Sequence, residues 1–133
     1  MERLKQRTAM AKQALNALQE VLAMPYSPIV RDAAIQRFEF TFEAIWKLTQ
    51  LYLREKEGLE INSPKSVLRN CLQVGLLATE SQVALALKMA DDRNLTVHTY
   101  NEKLATQIFN NLKSYHDLMQ QLFSNLSKNI NSQ

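Results

Sequence analysis

The stretch "SPIVRDAAIQRFEFTFEAIWKLTQLYLREKEG", residues 27–58, decides the fold. Ser27-Pro28 is a helix start. A serine hydroxyl can accept from one of the first free backbone N–H groups, and a proline at the first helical position has no N–H to leave unpaired. Gly58 is a stop, because glycine adopts the left-handed conformation that closes a helix at no steric cost. Neither glycine nor proline interrupts the residues between, so one long helix is expected from Pro28 to about Glu57. At 100° per residue, Ile35, Phe38, Phe42, Ile45, Trp46, Thr49 and Leu53 share one broad face. Phe40, Ala44, Leu48 and Leu51 form a second, roughly opposite one. Only a narrow stripe stays polar: Glu39, Glu43, Lys47, Gln50 and Arg54. A helix apolar on two sides is buried on two sides. One side can face a bundle core. The other needs another element of the same chain or a second copy, and the expectation adopted is a homodimer using Phe40, Ala44, Leu48 and Leu51.

The segments on either side have the same character. Leu4, Ala11, Leu15, Leu18 and Leu22 lie on one helical face of a segment from Glu2 to about Met24, which Pro25 ends. Downstream, Ser63-Pro64 starts a short helix interrupted at Gly75, and Thr79 with Gln82 makes a capping box for a second short helix ending near Asp92. The third arm should therefore be a broken helix. Thr99 with Glu102 gives another capping-box pattern, after which Leu104, Ile108, Leu112, Tyr115, Met119, Leu122 and Leu126 repeat at fours and threes. From residue 127 the pattern is lost, and a frayed tail is expected over 127–133. The fold expected is all-α: one up-and-down antiparallel four-helix bundle over 1–126, with a broken third helix.

Composition agrees with this. The chain has 133 residues, only 2 glycines and 3 prolines, too few turn formers for a sheet protein. A single cysteine, Cys71, excludes an internal disulfide, and no apolar run approaches the length of a membrane span. The net charge of +3 is compatible with an anionic partner without requiring one. The start is charged and amphipathic, unlike a secretory signal, so a cytoplasmic protein is expected. There is no glycine-rich phosphate loop, no nucleophile elbow, no metal-spaced His/Cys/carboxylate cluster and no aromatic RNA-stacking motif. No metal or cofactor is expected.

One segment stands apart: "DDRNLTVHTYNE", residues 91–102. It places Arg93, Asn94, His98 and Tyr100 within eight positions, beside a helix start. Arg93 offers a bidentate clamp for a phosphate, and His98 can move a proton near neutral pH. Asn94 adds an uncharged donor. Together these are parts for splitting a phosphodiester without a metal: a base for a ribose hydroxyl and a cation for the developing phosphorane charge. On spacing alone, an Arg–His pair in a loop is more often a capping or surface feature than a catalytic one. The remaining histidine, His116, reads as a surface residue in mid-helix, and the Glu39–Glu43–Lys47 stripe reads as a solvated ridge or, failing that, the wall of a cleft.

Two stretches carry a resemblance. "QRFEFTFEAIWK", residues 36–47, and "DDRNLTVHTYNE" resemble the HEPN superfamily, in its branch of nucleotidyltransferase substrate-binding proteins that includes HepT-like toxins. The Ser63-Pro64 start and "VGLL" at 74–77 also fit, so the likeness spans essentially the whole chain. It departs at "EAIWK", where the branch usually has "ELAWK", a swap of small and large apolar residues that touches packing. The resemblance implies a four-helix bundle that dimerises, and a partner nucleotidyltransferase of the minimal MNT type encoded nearby, often as toxin and antitoxin. It implies that Arg93 and His98, with Asn94 beside them, form a metal-independent endoribonuclease site shared between two protomers. It also implies that Tyr100 can be modified with AMP, which silences the toxin. The alternative is a non-catalytic subunit that binds or presents a substrate to the partner enzyme.

Overall fold

The computed structural model describes residues 2–132, and every regular element among them is helical. The helices are α1 (Glu2–Leu22), α2 (Pro28–Glu57), α3 (Pro64–Gln73), α4 (Glu80–Leu95) and α5 (Glu102–Asn131), with a 3₁₀ turn at Thr96–His98 between the last two. The local stop and start signals act as their chemistry requires. Ser27 and Ser63 accept from Val30 and Ser66 backbone N–H groups, and Thr79 and Gln82 close a reciprocal capping box. Gly58 ends α2 at φ +69°, and Gly75 turns the chain at φ +80°.

α2 is the central element and touches each of the other helices. It runs antiparallel to α1: Thr41 Oγ1 donates to the Ala14 carbonyl at 3.0 Å and Arg37 Nη1 to the Ala17 carbonyl at 2.6 Å. α5 returns antiparallel to α1, with His116 Nε2 3.0 Å from the Leu15 carbonyl. The third arm is in two pieces, and the break is a reversal. α3 folds back beside α4, so that Lys65 Nζ reaches Asp91 Oδ1 at 2.5 Å. Asn125 Nδ2 donates to the Leu76 carbonyl and holds that reversal against α5. The apolar stripes meet in one core that includes Leu15, Leu18, Phe38, Ile45, Leu68, Met89, Tyr115 and Met119.

Several expectations are corrected here. Leu48 and Leu51, assigned to a dimer interface, are buried within the single chain. A central helix of a bundle can cover two faces with its own neighbours, and here it does. Of the second face only Phe40 is exposed, at 45%, and Ala44 is half-buried. His116 is buried, because its ring nitrogen finds a backbone carbonyl on α1 instead of water. A carbonyl oxygen only accepts, so Nε2 carries the proton. The helix expected to fray from residue 127 continues to Asn131, with Ile130 buried and Asn129 Nδ2 donating to the Tyr52 hydroxyl. Residue 133 lies outside the described residues.

Candidate functional site

The last turn of α4 and the 3₁₀ turn behind it form one end of the bundle. Asp92 points inward. Its Oδ2 accepts from the Tyr115 hydroxyl at 2.5 Å and from Asn111 Nδ2 at 3.4 Å, which ties the end of α4 to α5. Burial, reinforced by that carboxylate, pushes the Tyr115 phenol well above its usual range. The next residue, Arg93, therefore emerges from a fixed turn toward α2.

Arg93 meets the polar stripe of α2. Its Nη1 lies 3.5 Å from Glu39 Oε2 and its Nη2 lies 3.9 Å from Glu43 Oε1. The stripe is thus the wall of a cleft more than a solvated ridge. Glu43 is itself oriented: its Oε2 lies 3.7 Å from Lys47 Nζ and accepts from Trp46 Nε1 at 3.3 Å. Both Arg93 ion pairs are longer than a charge-assisted hydrogen bond, about 2.8 Å. Arg93 Nη1 also donates to Thr96 Oγ1 at 3.2 Å, while its Nε is buried with no acceptor. The guanidinium is held in place by charge and packing, with hydrogen-bonding capacity left over. Thr96, which is buried, returns its hydroxyl proton to the Arg93 carbonyl at 2.7 Å.

The structure separates the sequence-predicted residues into two adjacent groups. Arg93 and Asn94 line a cleft between α2, α3 and α4. His98 and Tyr100 form a pair on the following turn, with the Tyr100 hydroxyl 3.4 Å from His98 Nδ1 and the rings edge-on at 5.9 Å. Both are exposed, Tyr100 at 77%. Among the described residues no hydrogen bond joins Arg93 to His98. The cap of α5 also differs from expectation. Asn101, not Thr99, accepts from the Leu104 backbone N–H, while Thr99 turns its hydroxyl to the Thr96 carbonyl. The 3₁₀ turn winds three residues more tightly than an α-helix and moves the helix start two positions on. Tyr100 consequently stands before α5 and not in its first turn.

The sequence reading missed Lys65 and Arg69, which line the same cleft as Arg93 from α3, and left the role of Glu39 and Glu43 open. The i,i+4 spacing of the two glutamates was a usable signal. The partners across the reversal were not visible, because the direction of α3 is a tertiary property.

The family described as nucleotidyltransferase substrate binding protein like matches residues 6–128. The chain belongs to that family. Among solved structures, a protein of Thermus thermophilus is 57% identical with a TM-score of 0.84, covering 88% of this chain and 98% of that one. A Haemophilus influenzae protein, described as having the fold of a substrate binding domain of a nucleotidyltransferase, is 22% identical at TM-score 0.76, covering 90% and 98%. The tri-AMPylated Shewanella oneidensis HEPN toxin, solved in complex with an MNT antitoxin, is 17% identical at TM-score 0.74, covering 94% and 96%. The last two establish a shared HEPN-like fold. No curated protein matches the chain. No helix among the described residues is long and apolar enough to cross a membrane.

Proposed function

We propose that this member of the family is the HEPN-type toxin subunit paired with an MNT-type nucleotidyltransferase. In this reading Arg93 and His98 cut RNA without a metal, and AMP on Tyr100 silences them. The observation that carries it is the exposed His98–Tyr100 pair on the turn that follows Arg93. An AMP group on the Tyr100 hydroxyl would displace the contact to His98 Nδ1 and set a phosphodiester in front of the imidazole. The AMPylated state of the Shewanella relative, a protein of the same fold, supports AMP as the modifying group.

The site is completed by a second copy of the chain. Within one chain no hydrogen bond links Arg93 to His98, and Phe40, Leu95, Val97 and Tyr100 present apolar surface around them. A homodimer through this end covers that surface and sets the Arg93 of one protomer near the His98 of its partner. One His98 takes the proton of a ribose 2′-hydroxyl, whose oxygen attacks the adjacent phosphorus. The bond from phosphorus to the 5′-oxygen breaks, and a proton from a second imidazole reaches the leaving oxygen. The products are a 2′,3′-cyclic phosphate and a 5′-hydroxyl. Arg93 stabilises the pentavalent phosphorane, and Asn94 donates to a non-bridging oxygen.

The experiment is incubation of the purified protein with total RNA in chelator, beside its His98→Ala variant. The variant dimer lacks both imidazoles, and each proton-transfer role lost is expected to slow cleavage by about a hundred- to ten-thousandfold. Equal cleavage by His98→Ala, or products bearing 5′-phosphates, overturns the mechanism. The second reading is a non-catalytic subunit that binds a substrate for the partner enzyme. Glu39 and Glu43 favour it, because they offset part of the Arg93 charge. Failure of unmodified protein to cut any RNA would select it.

A further inference from the structure

We infer that the cleft between α2, α3 and α4 is a nucleotide-binding pocket, in which Arg69 and Lys65 hold a phosphate neighbouring the one at Arg93. The inference rests on the proposed nuclease reading only for the identity of the ligand as an RNA strand. The cleft has a volume of about 570 Å³, within the range of pockets that take small organic ligands. Its chemistry is divided. Phe42 and Ala90 contribute apolar surface, while Lys65, Arg69 and Arg93 bring three cations and Asn94 an amide. Glu43 is the single carboxylate lining it.

The cations are not equivalent. Lys65 is tied to Asp91 at 2.5 Å, and Arg93 faces Glu39 and Glu43. Among the described residues Arg69 makes neither an ion pair nor a side-chain hydrogen bond, and it is exposed at the cleft. A guanidinium with no carboxylate, opening on a concave surface, is a ready anion site because its planar fork matches two phosphate oxygens. Lys65 and Arg69 lie four residues apart on α3, hence on one face about 6 Å apart along the axis. Arg69 is therefore the cation on that wall left without a carboxylate among the described residues, with the Asp91-paired Lys65 beside it. A cleft of this volume beneath a cationic rim has room for a sugar and base below their phosphates.

Two sources could supply that chemistry: consecutive nucleotides of an RNA strand, or a free nucleotide. The test uses His98→Ala protein, which binds without cutting, with and without a further Arg69→Gln change, and with Arg69→Lys as the conservative control. One arm titrates a fluorescein-labelled single-stranded RNA in metal-free buffer at several salt concentrations. The other titrates ATP by calorimetry. Arg69→Gln is expected to weaken RNA binding about tenfold and to reduce the slope of log affinity against log salt by about 0.7, the value for one phosphate contact on a single strand. Arg69→Lys should keep the slope, since it keeps the charge. Thermal melts matching the parent confirm that each variant is folded. If RNA fails to bind but ATP binds and depends on Arg69, the pocket stands with a free nucleotide as its ligand, and the nuclease reading is the part that fails. If Arg69→Gln leaves both titrations unchanged, the pocket is overturned, whatever the cleavage assays give.

Discussion

Changing Tyr115 to phenylalanine isolates one bond that sets the position of the site. The ring is fully buried and stacks on Phe38 with centroids 5.6 Å apart, and phenylalanine keeps that packing. Only the hydroxyl leaves, and with it the 2.5 Å bond to Asp92. Hydrogen bonds to charged groups contribute about 1.5–3 kcal/mol. Asp92 is only partly buried and keeps Asn111 at 3.4 Å, so water replaces some of the loss. The cost should sit at the lower end, about 1.5 kcal/mol. With 133 residues at about 2.1 cal/mol/K each, the unfolding entropy near the midpoint is about 280 cal/mol/K, and the melting temperature should fall by about 5 °C. A pH series adds a second reading. The folded phenol holds its proton more tightly than the unfolded one, so its contribution is complete below about pH 10 and lost as pH rises past that value. Urea midpoints measured from pH 8 to 10.5 should therefore decline more steeply for the parent than for Tyr115→Phe. Coincident melts and parallel pH profiles would refute the argument, because they would mean that the phenol and Asp92 are not coupled in solution.

Two other outcomes follow from burial and exposure. Burial raises the Cys71 thiol to about 12, so at pH 8 iodoacetamide should label the native protein far more slowly than protein in urea. Equal rates would show that the α3 core opens freely. Phe40→Asp should convert a dimer to a monomer on size-exclusion chromatography while leaving the monomer's melting temperature within about 1 °C, as for a surface substitution. An unchanged elution volume would remove Phe40 from the interface.

The helix boundaries could be read because their causes are local. Ser27-Pro28, Ser63-Pro64 and the Thr79–Gln82 box each satisfy orphan N–H groups within three residues. The cap of α5 was misread for an equally local reason: Thr99 and Asn101 are both capable, and only the 3₁₀ turn at 96–98 decides between them. Leu48 and Leu51 were legible as buried but not as buried by their own chain, since periodicity reports the exposure of a face and not what covers it. His116 shares the buried side of α5 with Leu112, Tyr115 and Met119, a spacing that the surface reading of this residue overlooked. Its partner, the Leu15 carbonyl 101 residues away, was not. For the site, the sequence named Arg93, Asn94, His98 and Tyr100, and the fold added Glu39, Glu43, Lys65 and Arg69 around the first two.

The hold on α1 has a consequence for how uniquely this chain folds. A helix packed only by repeating leucines and alanines can slip by one turn along its neighbours and still bury a similar apolar stripe. Here the carbonyls of Ala14, Leu15 and Ala17 are engaged by Thr41, His116 and Arg37, side chains from two different helices. These contacts act as a key in a lock. A one-turn slide of about 5.4 Å would break all three together, and the Thr41 hydroxyl would keep only the Arg37 carbonyl of its own helix, 2.6 Å away. The apolar stripe drives α1 into the bundle, and three backbone oxygens tell it where along the bundle to stop.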